Sequence, residues 1–94
     1  MPRIFETKDK SGRIIYMTDE RWQHILKHQE MSTQLEQIKD TLLNPDKIAK
    51  VDYDIDIRFY YRYYKDRKKY LFISVKYLNG EGFIITSFYT DKIK

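Results

Sequence analysis

The chain has only two histidines, His24 and His28, and they stand four residues apart. On a helix that spacing puts them about 40° apart on one face. The face is displaced from the apolar stripe of Trp22, Ile25 and Leu26, so neither ring reads as core. Imidazole titrates near neutral pH, so one histidine can take up a proton while another group returns it. Two other uses stay open. A pair at this spacing can share a metal ion, but Ile25 stands where the zinc motif places glutamate, and no third ligand is evident. The pair can also be two solvated side chains on a helix flank. Metal-free cleavage of RNA needs a base for the 2′-hydroxyl, cations or donors for the charge growing on phosphorus, and an acid for the leaving 5′-oxygen. Histidine, arginine, lysine, threonine and tyrosine can supply all of these.

The elements that must position such groups follow from turn signals and periodicity. Residues 3–8 and 13–17 flank the turn cluster Asp9-Lys10-Ser11-Gly12 and predict a hairpin. Thr18 caps a first helix, with Asp19 and Glu20 at its positive end. A break near Gln29–Ser32 precedes a second helix, for which Thr33 and Glu36 fit a capping box. Its stripe is Leu35, Ile38, Leu42 and Leu43, and Asn44-Pro45-Asp46 stops it. The period then changes to two. Strands are expected near 48–54, 57–64, 69–77 and 83–90, with breaks at Lys65-Asp66-Arg67-Lys68 and at Asn79-Gly80-Glu81-Gly82. The expected class is α+β in the order β-β-α-α-β-β-β-β, two helices packed on one face of an antiparallel sheet.

Strand parity divides the sheet into two faces. Ile57, Phe59, Tyr61 and Tyr63, with Leu71, Ile73, Val75 and Tyr77, are expected toward the core. Phe83, Ile85, Ser87 and Tyr89 are expected to join them. The opposite face then holds Arg58, Tyr60, Arg62 and Tyr64, then Tyr70, Phe72, Ser74 and Lys76, then Ile84, Thr86, Phe88 and Thr90. Such a face is basic, aromatic and hydroxyl-rich. Cations bind phosphate oxygens and rings stack on unpaired bases. A solvated outer face has the same composition.

Composition sets the limits. Ninety-four residues make one domain, 1–94, with a small core and no room for a dinucleotide-binding unit. Hydrophobic residues are 41% and charged residues 34%, as in a globular chain. Residues 1–56 hold nine Lys/Arg against eleven Asp/Glu, whereas residues 57–94 hold nine against three. A basic half suggests an anionic partner, with nucleic acid the default. Cysteine is absent, which excludes disulfides and thiolate zinc sites. No apolar run approaches the roughly 20 residues of a membrane span, and no signal core opens the chain, so a cytoplasmic location without membrane contact is expected.

The run Glu20-Arg21-Trp22-Gln23-His24-Ile25-Leu26-Lys27-His28-Gln29-Glu30 resembles the first helix of phage-associated nucleases of the barnase–EndoU–colicin–RelE-like group. Ile38 to Ile48, with its Asn-Pro-Asp stop, Tyr61-Arg62, Leu71 to Lys76, and Phe83-Ile84-Ile85-Thr86 with Thr90 follow in that group's order. Gln29 departs from it, standing where the pattern has proline. The resemblance implies a small RelE/barnase-like α+β fold and a metal-independent ribonuclease, of a kind found as toxins in toxin–antitoxin pairs and phage-linked proteins. It maps His24 and His28 to the helix histidines, Arg62 and Lys76 to the strand cations, and Thr86 and Thr90 to the last-strand hydroxyls.

The expected function is therefore a small endoribonuclease working by 2′-hydroxyl transesterification without metal or other cofactor. His24, His28, Arg62, Lys76, Thr86 and Thr90 would be catalytic; Arg58, Tyr60, Tyr64, Arg67 and Lys68 would bind RNA. An acidic antitoxin or immunity protein would mask the basic face. The alternative is a nucleic-acid-binding module or regulator without catalysis. It would lose affinity on Arg62→Ala and tolerate loss of either histidine. A structural partner subunit, burying its tyrosine face against protein, is a third possibility.

Overall fold

A computed structural model describes residues 2–93. Strands β1 (Arg3–Lys8) and β2 (Ile14–Thr18) form the first hairpin, and α1 (Asp19–Ile25) follows directly. Thr18 caps α1 by accepting a hydrogen bond from the Arg21 amide at 3.3 Å. The break is a 3-10 turn, Gln29–Thr33, leading into α2 (Leu35–Leu43). The expected capping box does not form. Gln34 is the N-cap residue and makes no side-chain cap bond. Its amide oxygen instead accepts from the Tyr89 hydroxyl at 2.5 Å, tying the start of α2 to the last strand.

Strands β3 (Lys47–Val51), β4 (Asp54–Tyr64), β5 (Lys69–Leu78) and β6 (Glu81–Thr90) complete the chain. Leu78 pairs with Glu81, so Asn79-Gly80 is a two-residue turn with φ of 55° and 83°. Positive φ at both central positions is what a type I′ hairpin needs, and Asn-Gly suits it.

The expected fold class requires correction. Strand accounts for 51% of the residues and helix for 23%, and the sheet is mixed. Its six strands run in the order β1-β2-β6-β5-β4-β3, with β2 parallel to β6 and every other neighbouring pair antiparallel. The parallel pair joins segments far apart in sequence, Ile15 with Gly82 and Tyr16 with Phe83, so no local turn signal announces it. The chain between them runs through both helices and then through β3, β4 and β5 before it returns as β6. Gly82 makes the junction possible: a Cβ there would lie 2.6 Å from Ile15 Cδ1 and 2.9 Å from both Tyr77 Cε1 and Val75 Cγ1.

Only the first residues of β6 pair with β2, and α1 lies along the remainder. It straddles that edge. Ile25 points into the core while the following His28 reaches round to Phe88 on the opposite face. α2 covers the core face with Ile38 and Leu42 beneath it. Each such aliphatic side chain, fully buried, contributes about 1.5–3 kcal/mol. No helix among the described residues is long and apolar enough to cross a membrane.

The expected parity of β4 is reversed. Tyr60 and Tyr64 pack with Leu71, Ile73 and Val75 on the core face, and Arg58 and Arg62 share their side. Ile57, Phe59, Tyr61 and Tyr63 face away from α2, opposite Lys76, Ser74, Phe72 and Tyr70. Both sets are apolar enough to look internal, and hydroxyl partners on α2 and β5 decide between them. On β6 the register shifts by one residue: Ser74 pairs with Thr86, but Val75 pairs with Ile84. The bulge at Ile85 puts Ile84 in the core with Ser87 and leaves Phe83 on the outer face. Only the second half of β6 keeps its expected parity.

Candidate functional site

The outer face of the sheet is an aromatic surface. Phe72 on β5 is its hub, with Phe59, Tyr61 and Phe88 at centroid distances of 4.9, 5.4 and 4.8 Å. These four residues, with Thr90 and Lys92, line a cavity of about 190 Å³. Tyr63 and Tyr70 extend the surface in an edge-on pair at 5.2 Å. Side chains on one sheet face normally see solvent unless another layer covers them. Here Tyr61 is 1% exposed and Phe72 8%, so the rings bury one another. They form a preformed apolar wall with exposed π-faces at its rim.

His28 meets this wall. Its ring centroid lies 5.4 Å from that of Phe88, and the residue is exposed. Thr86 and Thr90 flank Phe88 on the same side of β6, each about 7 Å along the strand. His24 is exposed on α1, one turn before His28. At the other end of α1, Arg21 lines a hollow with Tyr16, Thr18, Glu20 and Phe83. α1 therefore carries Arg21 and His24 past the open edge of β6, but the helix ends at Ile25, so His28 does not share its face as expected and lies in extended backbone (φ -91°, ψ 99°) just before the 3-10 turn.

Lys76 shares the outer face but not this neighbourhood. It pairs with Phe83, about 16 Å along β6 from Phe88, and its ammonium bridges Asp54 at 2.9 Å. The shared hydrogen bond raises the Lys76 pKa and lowers that of Asp54, so both stay charged.

The remaining predicted residues lie elsewhere. Arg62 is on the α2 side, where it donates to the Asn44 carbonyl at 2.6 Å and approaches the Tyr64 ring. The Tyr64 hydroxyl donates to the Gln37 carbonyl at 3.0 Å and meets Thr41, so it joins β4 to α2 and is no stacking platform. Tyr60 is buried, 2.5 Å from the Tyr77 hydroxyl. Arg58 donates through one nitrogen to the carbonyls of Ile55 and Ile57. Arg67 and Lys68 lie in the β4–β5 turn, with Arg67 over the Tyr89 ring. Burial pushes the Tyr89 phenol up to about 12.

Lys92 and the rings of Phe59 and Tyr61 are the site residues that strand parity missed. An alternating aromatic strand with tyrosines on both faces carries no signal for which side α2 will cover. Among the described residues no group of three or more His, Cys, Asp or Glu side chains is placed to hold a metal ion.

The chain matches no curated protein and no solved structure. A family model does match it, over residues 2–94, which is nearly the whole chain. That family is described as phage-Barnase-EndoU-ColicinE5/D-RelE like nuclease2. An imidazole and two hydroxyls beside an aromatic cavity are parts a nuclease can use, and by this match the chain belongs to the phage-associated Barnase–EndoU–colicin E5/D–RelE-like nuclease 2 family.

Proposed function

We propose that this nuclease is an endoribonuclease that cleaves by 2′-hydroxyl transesterification without metal, and that it serves as the toxin of a toxin–antitoxin or phage-linked system in the cytoplasm. One observation carries the chemical part. The exposed His28 ring rests on Phe88, and Phe88 is also a wall of the aromatic cavity. A proton-transfer group and a base-stacking pocket thus share one edge. A base held among Phe59, Phe72 and Phe88 brings its own ribose and phosphate to that edge. His28 and His24 divide the acid and base roles. One takes the 2′-hydroxyl proton as the oxygen attacks phosphorus, and the other protonates the departing 5′-oxygen. The Thr86 and Thr90 hydroxyls and the Lys92 ammonium stabilise the charge on the phosphorane. Lys76, at the far end of the face, holds a flanking phosphate.

The test is incubation of the protein, and of its His24→Ala and His28→Ala variants, with total cellular RNA in EDTA. The parent is expected to cut and leave 2′,3′-cyclic phosphate ends. His28→Ala should slow cutting about 10²- to 10⁴-fold. Intact RNA with a folded parent, or products with free 3′-hydroxyl ends, would overturn the reading. RNA that is bound but left whole would support the non-catalytic binding module instead.

A further inference from the structure

A second concave site lies on the opposite side of the sheet. The β1–β2 turn folds across the core face, and Asp9, Ser11 and Tyr60 floor a hollow of about 330 Å³. Lys10, Arg13 and Arg58 surround it, with Ile48 at its β3 wall. Its floor is internally paired. The Tyr77 hydroxyl donates to Asp9 Oδ2 at 2.8 Å, and Asp9 Oδ1 accepts from Ser11 and from the Arg13 amide. The two guanidinium groups are held in place. Arg13 stacks over the Tyr77 ring at 3.8 Å and donates through Nε to Ser11 Oγ at 3.1 Å. Arg58 uses Nη1 for two backbone carbonyls. Three cations thus surround one carboxylate that already accepts hydrogen bonds. Fixed guanidinium forks of this kind suit phosphate oxygens.

Strand β3 connects this hollow to the outer face. It is the end strand of the sheet, and its two lysines point opposite ways: Lys47 pairs with Tyr61 on the outer face, and Lys50 pairs with Arg58 on the core face. Both are exposed. We infer that a single RNA strand seated on the outer face continues round the β3 edge, past Lys47 and Lys50, and places a downstream or upstream phosphate in the hollow of Lys10, Arg13 and Arg58. The inference rests on the reading that the outer face takes RNA. It adds a footprint longer than the catalytic face. Two held guanidinium forks beside a lysine, at the end of an edge strand that carries two more exposed lysines, favour a phosphodiester chain over an acidic protein segment.

The test is binding of uncleavable 2′-O-methyl oligonucleotides of 5 and 12 residues, lengths within the range of small single-strand binders. Parent, Lys10→Ala/Arg58→Ala and Lys10→Glu/Lys50→Glu are compared at several salt concentrations. The second variant changes only exposed side chains, so it separates lost contacts from lost folding. The 12-mer should bind each variant about tenfold more weakly than parent, with a salt slope flatter by about 1.4 for two lost phosphate contacts. The 5-mer should be unaffected. Unchanged 12-mer binding would overturn the inference. Equal losses for both lengths would also overturn it, because they would show a general field and no second site. Poly-glutamate bound by the parent and lost in the variants, with RNA binding intact, would assign the hollow to an acidic protein. None of these readouts depends on cleavage, so failure here is separable from failure of the nuclease mechanism.

Discussion

Asp9 shows how one buried charge is tolerated and what it does. The side chain is 2% exposed, and burial pushes its carboxyl pKa up. Hydrogen bonds from Ser11, Tyr77 and the Arg13 amide, with the Arg13 charge, outweigh that and hold it below the ordinary 3.8. A carboxylate with a depressed folded pKa stabilises the fold above its unfolded value, and that stabilisation is lost as pH falls through the folded one. Asp9→Asn should therefore cost about 1–3 kcal/mol at pH 7. The gap between parent and variant should narrow below about pH 4, near the unfolded carboxyl value. Urea unfolding at pH 7 and at pH 3 measures it; a gap that is constant with pH would refute the assignment. Tyr77 completes the same contact, its own phenol held protonated first by burial and then by its hydrogen bonds with Tyr60 and Asp9.

At the scale of elements, the junction of β2 with β6 leaves no room for a side chain at Gly82. Three core side chains close on Gly82, and two of them, Val75 and Tyr77, come from the neighbouring strand. Gly82→Ala forces those atoms apart and should destabilise by about 1–3 kcal/mol. Thermal unfolding should show a fall of several degrees, roughly 4–8 °C for each kcal/mol in a domain of this size. An unchanged midpoint would mean that the parallel pairing is not held as described. The bulge three residues further on, at Ile85, matters to the candidate site. It returns Thr86, Phe88 and Thr90 to the outer face, although Ile84 is internal.

For the whole molecule, the sheet separates an aromatic surface beside His28 from a surface covered by α2 and the first hairpin turn. Arg62 tests the separation, since it sits on the α2 side with its guanidinium on the Asn44 carbonyl. Arg62→Ala should lower stability by about 1 kcal/mol and leave the cleavage rate of the folded protein unchanged. Rates measured below the unfolding transition, beside a denaturation curve, check both halves. A loss of cleavage with stability intact would refute the placing of Arg62 away from the proposed site. The charge asymmetry of the sequence finds its place here too. The basic second half supplies Lys76 and Lys92 to one surface and Arg58 to the other, and Lys10 and Arg13 from the first hairpin join Arg58.

Much of the local structure was legible in the residues. Thr18 before Asp19-Glu20 marked a helix start, Asn79-Gly80-Glu81-Gly82 a hairpin connection, and Asn44-Pro45-Asp46 a helix stop, because each depends on the backbone preferences of a few neighbouring residues. The histidine pair was legible only in part: His24 lies on the expected helix, but α1 ends at Ile25 and leaves His28 in extended backbone before the 3-10 turn. What lay beyond reach depended on partners distant in sequence. Nothing near Tyr60 or Tyr64 tells that Tyr77, Thr41 and the Gln37 carbonyl wait to receive their hydroxyls and draw that side of β4 inward. Nothing near Gly82 names Ile15 as its neighbour. Alternation in a strand shows that two faces differ, not which one a helix will cover, and one bulge reverses the answer along the rest of the strand. The sequence by itself therefore determined the elements and the chemical groups they carry. The tertiary structure decided that His28, Thr86 and Thr90 share an aromatic face from which Arg62 is excluded, because burial and hydrogen-bond satisfaction are settled only when the whole sheet is assembled.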